Sequence, residues 1–292
     1  MIELLERLSP QPPRCVCLDF GRDHLSALEV FNGAITRWIA VPLAEEDLDN
    51  GSPADPKALA AAVGAALRLA GMEARIARIA LPDEATVSRQ LQLPAMPRRD
   101  LRRAMHFAAE RHIPFPLARA RWAWDVVEQT PEQLTVYLVA TWLDVVDRFA
   151  EVARAAALEP SVLEPRALAV SRALGQDHAL LLDAGPHRLH VTLLVGGQPV
   201  FVDTVVAGPS ERREALDRLL QRAYRQQSVV ASAGGRLAPV LLAGDLELSE
   251  LKVPVDGRMV GQVLNGQLPA TPRGFPAGSY LANLGLSMRT PR

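Results

Sequence analysis

Apolar and polar positions along this chain form a pattern that occurs twice. Residues 16–41, VCLDFGRDHLSALEVFNGAITRWIAV, read as an apolar strand, an Asp-x-Gly step, a second strand, a two-residue turn at Asn32-Gly33 and a third strand. Residues 180–205, LLLDAGPHRLHVTLLVGGQPVFVDTV, repeat that order with the turn at Gly196-Gly197. The copies align without a gap at an offset of 164, which lays Asp19 on Asp183, Gly21 on Gly185 and Leu25 on Leu189. Few positions are identical, but those that coincide shape backbone, and Asn-Gly and Gly-Gly supply the positive φ that a two-residue hairpin turn needs. An internal repeat of this kind predicts two related halves.

Between and after the copies the period becomes helical. Asp55-Pro56 predicts an N-cap and first-turn proline for an Ala/Leu-rich helix ending near Ala70, with Gly71 just beyond it. A short strand over 78–81 closes at Pro82. The next stretch alternates differently: a strand over 86–93, an Arg-rich helix over 99–112, strands over 122–127 and 134–140, and a helix over 142–157 with Thr141 as its N-cap. A connecting helix over 165–174 leads into the second copy. A helix over 211–227, strands over 239–242 and 259–264, and a last helix over 279–288 follow it. The expected organisation is α/β: a first half over 1–81 completed by 165–177, an inserted α+β module over 82–164, and a second half over 178–292.

Composition narrows the function classes. At 49% apolar and 22% charged residues, the 292-residue chain suits a globular protein with a substantial core. The net charge of -1 leaves no global field to recruit nucleic acid or an anionic surface. Met1 to Pro13 do not read as a signal peptide, and the longest apolar stretch, over 58–67, is well short of the roughly 20 residues that span a bilayer. Cys15 and Cys17 sit two apart in a strand, pointing the same way, a geometry that disfavours a disulfide and suits two small core hydrophobes. No Gly-x-Ser-x-Gly, paired-cysteine or P-loop signature occurs.

Two facing hairpins that each open with Asp-x-Gly suit a nucleotide gripped from both sides. Glycine lets backbone N–H groups reach phosphate, and the aspartates orient Mg²⁺ or a water. The same residues also serve as plain turn chemistry. His187 and His190 fall on opposite strand faces and do not make a metal pair. Arg98, Arg99, Arg102 and Arg103 form either a solvated face or a contact for an acidic partner or lipid headgroups. Trp122 and Trp124 share a strand face and read as core or groove wall.

In order along the chain, LDFGRDHLSALEV (18–30), LPDEATVSRQLQLPAM (81–96), AMHFAAERHIPFPL (104–117), ALEPSVLEPRALAVSRAL (157–174) and LANLGLSMR (281–289) resemble the PilM family of type IV pilus assembly, related to the division protein FtsA. The third segment carries the family's Glu-x-x-x-Ile-Pro-Phe motif on Glu110, Ile113, Pro114 and Phe115. The resemblance implies an actin-like fold with an inserted subdomain. It also implies a cytoplasmic scaffold, peripheral at the inner membrane, of a pilus, competence or secretion machine. Its partner would be the N-terminal cytoplasmic tail of a bitopic PilN-like protein, held in a groove between the first half and the insert, with membrane contact only through that partner. Arg103, Phe107, Arg111, Ile113 and Phe115 are the candidate groove residues.

Departures from the family pattern fall on the nucleotide region, assigned to Asp19, Gly21, Asp183, Gly185 and Gly244. Arg22 and Asp23 stand where the first hairpin usually has serines, Pro186 and His187 follow Gly185, and Asp245 follows Gly244. Proline offers no N–H and the acids repel phosphate. Only about 30 residues, 208–238, remain for a lid over the nucleotide. The chain therefore leans toward the shortened relatives, including the cytoplasmic part of the secretion protein GspL. The expectation is no catalytic residue and no cofactor, with ATP and magnesium as the less favoured case. The alternative function is an active ATPase or small-molecule kinase of the same fold.

Overall fold

The computed structural model describes residues 14–289 except 22, 186–187, 209, 232–238, 245–256 and 260–267. The first lobe begins with a hairpin series, β1 (Cys15–Phe20), β2 (His24–Phe31) and β3 (Ala34–Pro42). After the short pair β4 (Leu48–Asp49) and β5 (Ser52–Pro53) come helix α1 (Pro56–Leu69) and strand β6 (Ile76–Leu81). Asp55 caps α1 as its sequence predicts: the carboxylate accepts the backbone N–H groups of Lys57 at 2.9 Å and Ala58 at 3.1 Å.

The inserted module is a three-stranded antiparallel sheet with one helix. Its parts are β7 (Thr86–Pro94), α2 (Arg98–His112), β8 (Ala120–Gln129) and β9 (Gln133–Trp142), with β9 central. The chain then returns to the first lobe through α3 (Leu143–Ala155) and β10 (Glu159–Pro165). Helix α4 (Arg166–Leu174) carries it into the second lobe: β11 (His178–Ala184), β12 (Arg188–Val195), β13 (Gln198–Val206), α5 (Arg212–Ala231), β14 (Val240–Gly244), β15 (Gly257–Met259) and the last helix α6 (Leu281–Ser287).

The duplication survives in three dimensions. The first sheet runs β10-β6-β1-β2-β3, and the second runs β15-β14-β11-β12-β13 in the same relative order. Strands β12 and β13 begin and end 164 residues after β2 and β3. A bulge interrupts β2–β3 between Glu29 and Val30, and another interrupts β12–β13 between Leu193 and Leu194, the equivalent step. Both turns have two residues at positive φ, 51° and 71° at Asn32 and Gly33, 59° and 71° at Gly196 and Gly197. Strand alternation sorts the core in the same way in each lobe. Val16, Leu18 and Phe20 meet α1 and α3, as Leu180, Leu182 and Ala184 meet α5. Cys15, Cys17, Ala179 and Leu181 face a shared central layer built from α4 and α6. Both cysteines are free and buried there, as a core strand requires.

Several expectations need correcting. Thr141 does not cap α3. It lies in β9, one residue before its end, and its hydroxyl donates to the Ala85 carbonyl at 2.8 Å, while Trp142 holds the N-cap position without a side-chain bond. The boundary at 164 also moves. Val145, Phe149, Val152 and Ala153 of α3 pack with Phe20 and Leu59, and β10 pairs in parallel with β6, so 143–165 belongs to the first lobe. The last helix likewise lies against the first sheet. Asn283 donates to the carbonyls of Cys17 at 2.8 Å and Ser26 at 3.1 Å, and Arg78 donates to the carbonyls of Leu286 and Ser287. An apolar helix face announces that something covers it, not which sheet does. The strand read over 259–264 meets the described β15 at Met259, and residues 260–264 lie outside the described set.

Candidate functional site

The hairpins bring Asp19 and Asp183 to equivalent places, paired across their strands with Ser26 and His190. Between them lies Arg166, the first residue of α4. Its Nε donates to Asp19 Oδ2 at 3.2 Å and its Nη2 to Asp183 Oδ2 at 3.0 Å. A third carboxylate, Asp83, accepts the Ala167 N–H at 3.1 Å through Oδ1, and burial pushes its pKa up to about 6 against the pull of Arg166. Burial would weaken the Arg166 cation, but Asp19, Asp183 and Asp83 more than restore it. His190 is driven well below its ordinary value by burial, reinforced by Arg188 and Arg166, and is neutral.

The glycines are equally occupied. The His24 ring lies over Gly21, within 3.2 Å of where a Cβ would stand, and Asp23 Oδ1 holds His24 Nδ1 at 2.7 Å. That hydrogen bond raises the His24 pKa and lowers that of Asp23. Asp23 Oδ2 in turn sits 3.6 Å from the position of a Gly185 Cβ. The acid of the first hairpin thus reaches the glycine of the second. The Gly185 N–H is spent on the Arg188 carbonyl at 2.8 Å, and Arg212 donates to the Gly185 carbonyl. Gly244 ends β14 beside Ala184. The departures at Arg22, Pro186, His187 and Asp245 lie outside the described residues.

Among the described residues, three buried polar atoms here, Asp19 Oδ1, Asp83 Oδ2 and His190 Nε2, find no hydrogen-bond partner. They suit one or two waters. These residues do not suit a magnesium nucleotide: one oxygen each of Asp19 and Asp183 is held by a guanidinium, and the Asp23 carboxylate lies against Gly185. Among the described residues no three His, Cys, Asp or Glu side chains converge on a metal-sized site.

Next to the cleft, a groove opens between the first lobe and the insert. One cavity of about 330 Å³ is lined by Phe20, Glu46, Leu48, Asp49, Glu84 and Arg188 among others. A second, of about 290 Å³, shares Asp49, Asn50 and Glu84 and continues to Arg119, Trp142 and Asp144. Phe115 stacks on Trp142 with centroids 4.3 Å apart, and the Arg119 guanidinium lies 5.0 Å from the same ring. The groove's charged lining sets the carboxylates of Glu46, Asp49, Glu84 and Asp144 against Arg119 and Arg188, the latter 3.5 Å from Glu84.

The five residues expected to wall a peptide groove are not brought together. Ile113 is buried in the insert's own core with Leu101, Met105 and Ala109. Phe115 supports the groove from behind Trp142. Arg103, Phe107 and Arg111 recur every four residues on the opposite, solvent-facing side of α2, where Phe107 is 64% exposed. Trp122 and Trp124 pack against the insert core, as a strand face predicts. Sequence reasoning missed Arg166, whose only signal is a lone cation in the first turn of an Ala/Leu-rich helix. It also missed Asp49, Glu84, Arg119 and Trp142, which no spacing connects.

A family model for the type IV pilus assembly protein PilM matches residues 24–226. No curated protein sequence matches the chain. Among solved structures, the PilM–PilN type IV pilus biogenesis complex aligns with a TM-score of 0.72 at 21% identity, over 96% of this chain and 99% of that one. The cytoplasmic domain of EpsL, an inner-membrane component of the Vibrio cholerae type II secretion system, aligns with a TM-score of 0.57 at 11% identity, over 95% and 97%. The fold is thus the actin-like one that the family resemblance implies.

Proposed function

The chain belongs to the family of the type IV pilus assembly protein PilM, and from that premise we propose that it is a docking scaffold rather than an ATPase. It works at the cytoplasmic face of an inner-membrane pilus, competence or related machine, and it holds the cytoplasmic tail of a PilN-like membrane protein. The observation that carries this reading is the groove between the first lobe and the insert. Glu46, Asp49, Glu84 and Asp144 outnumber Arg119 and Arg188 among its charged residues, and Trp142 walls one end, which leaves a net acidic channel with an aromatic wall. Cytoplasmic segments next to a membrane span are enriched in Lys and Arg, so a bitopic partner's tail supplies the complementary charge. A short segment in extended form suits such a channel: its backbone is fixed by hydrogen bonds, and its side chains enter alternate pockets.

The test is titration of a fluorescent peptide, carrying the tail of the PilN-like protein of the same organism, into wild type and charge variants. Asp49→Lys and Glu46→Lys should each weaken binding about tenfold or more with no change in melting temperature, because they reverse exposed groove charges. Arg119→Glu should bind at least as tightly as wild type. Wild-type affinity in both Lys variants would place the tail elsewhere.

A further inference from the structure

We infer that Arg166 is a built-in counter-cation: its guanidinium holds the place between Asp19 and Asp183 that a divalent ion bridging the two lobes would take. Nε and Nη2 lie on one edge of the planar guanidinium. Each takes an Oδ2 from a different lobe, so the two carboxylate oxygens are presented side by side. All three side chains are largely withdrawn from water, with 12%, 6% and 15% of Arg166, Asp19 and Asp183 exposed. Two carboxylates this close and this dry need a positive charge, or one must take up a proton. Oxygen pairs of this kind are what hard divalent cations bind.

Nothing local to α4 asks for an arginine at that position. A cation in the first turn opposes the helix dipole, and the first turn has no acidic residue of its own. The charge is explained by what it faces across the cleft. Guanidinium is also suited to permanence, since it stays protonated at every accessible pH and binds through fixed geometry. Arg166 sits in the helix that joins the two lobes, so the contact fastens the first hairpin to the second without a diffusible ligand. The inference is independent of where a partner's tail docks, and its failure would leave that reading untouched.

Melting temperatures of the full chain test it. Wild type should show no shift with millimolar Mn²⁺, Mg²⁺ or Mg²⁺ with ATP. Arg166→Met, which removes the charge and every donor, should melt roughly 10 °C lower, the scale of breaking a buried ion pair in a chain of this size. Millimolar Mn²⁺ should restore several degrees to Arg166→Met by binding the bared carboxylates, with its electron paramagnetic resonance signal reporting the bound ion. Adding Asp19→Asn and Asp183→Asn to Arg166→Met should recover most of the lost stability and abolish the Mn²⁺ response. Stabilisation of wild type by Mn²⁺ or by Mg²⁺ with ATP would overturn the inference. So would an Arg166→Met variant that is as stable as wild type, or one that folds but ignores Mn²⁺. If Arg166→Met does not fold, the triple variant must; a triple variant that also fails would mean that Arg166 acts by packing, and the counter-cation reading would fall.

Discussion

Asp83 is a carboxylate in a place that disfavours its charge. It stands at the corner between the first lobe and the insert, supports the start of α4 through the Ala167 N–H, and has its other oxygen buried without a partner among the described residues. Burial raises its pKa to about 6. The folded state therefore binds this proton more tightly than the unfolded one, whose value is about 4. Asp83 contributes most to stability below that unfolded value, and the contribution is lost as pH rises through about 6. Asp83→Asn keeps an acceptor for Ala167 and removes the charge. It should be more stable than wild type at pH 7, by about 1–3 kcal/mol, with the advantage gone near pH 4. Denaturant unfolding at a series of pH values checks this, and a difference that does not vary with pH would refute it. Glu29 is the opposite case. Burial would raise it, but bonds from Thr36, the Glu73 and Ala74 N–H groups and Arg37 outweigh that and hold its pKa low.

Helix α2 shows how far a period can be read. Leu101, Met105 and Ala109 recur at helical spacing and are buried, and Phe107 lies on the other face. Phe107→Ala should therefore change stability by less than about 0.5 kcal/mol, whereas Ile113→Ala should lose about 2–5 kcal/mol; thermal melts of the two variants decide it. Helices α4 and α6 carry a different constraint. A Cβ on Gly285 would stand 1.7 Å from the Ala169 carbonyl oxygen, and backbone cannot swing aside. Gly285→Ala should force the two helices apart and destabilise the protein by more than about 3 kcal/mol, at the upper end of overpacking costs. A melting temperature within a degree or two of wild type would show that the helices part freely.

Across the whole molecule, five layers alternate: α1 and α3, the first sheet, α4 and α6, the second sheet, and α5. The insert is an appendage with its own small core. Phe149 belongs to the first-lobe core although it follows the insert in sequence, and its ring meets Phe20 at a centroid distance of 5.0 Å. Phe149→Ala should therefore lower hydrogen-exchange protection in α1 and the first sheet while β9 keeps its own. Loss of protection confined to β7, β8 and β9 would return α3 to the insert.

The repeat at offset 164, its two turns and the strand alternation were legible in the chain, because hairpin turns and pleats are set by residues near one another. So were the capped α1, the buried cysteines and the insert's sheet and helix. From the same local patterns came the family resemblance, and with it the actin-like fold. Which layer each amphipathic helix covers was not legible: the end of the insert and the place of the last helix depend on contacts between residues far apart in sequence. The candidate site divides the same way. Asp19, Gly21, Asp183 and Gly185 could be picked out because each sits in a repeated motif. Arg166 between the aspartates, Asp23 against Gly185, and the acidic groove around Trp142 could not, because each joins residues from separate lobes or modules that meet only once the sheets have packed.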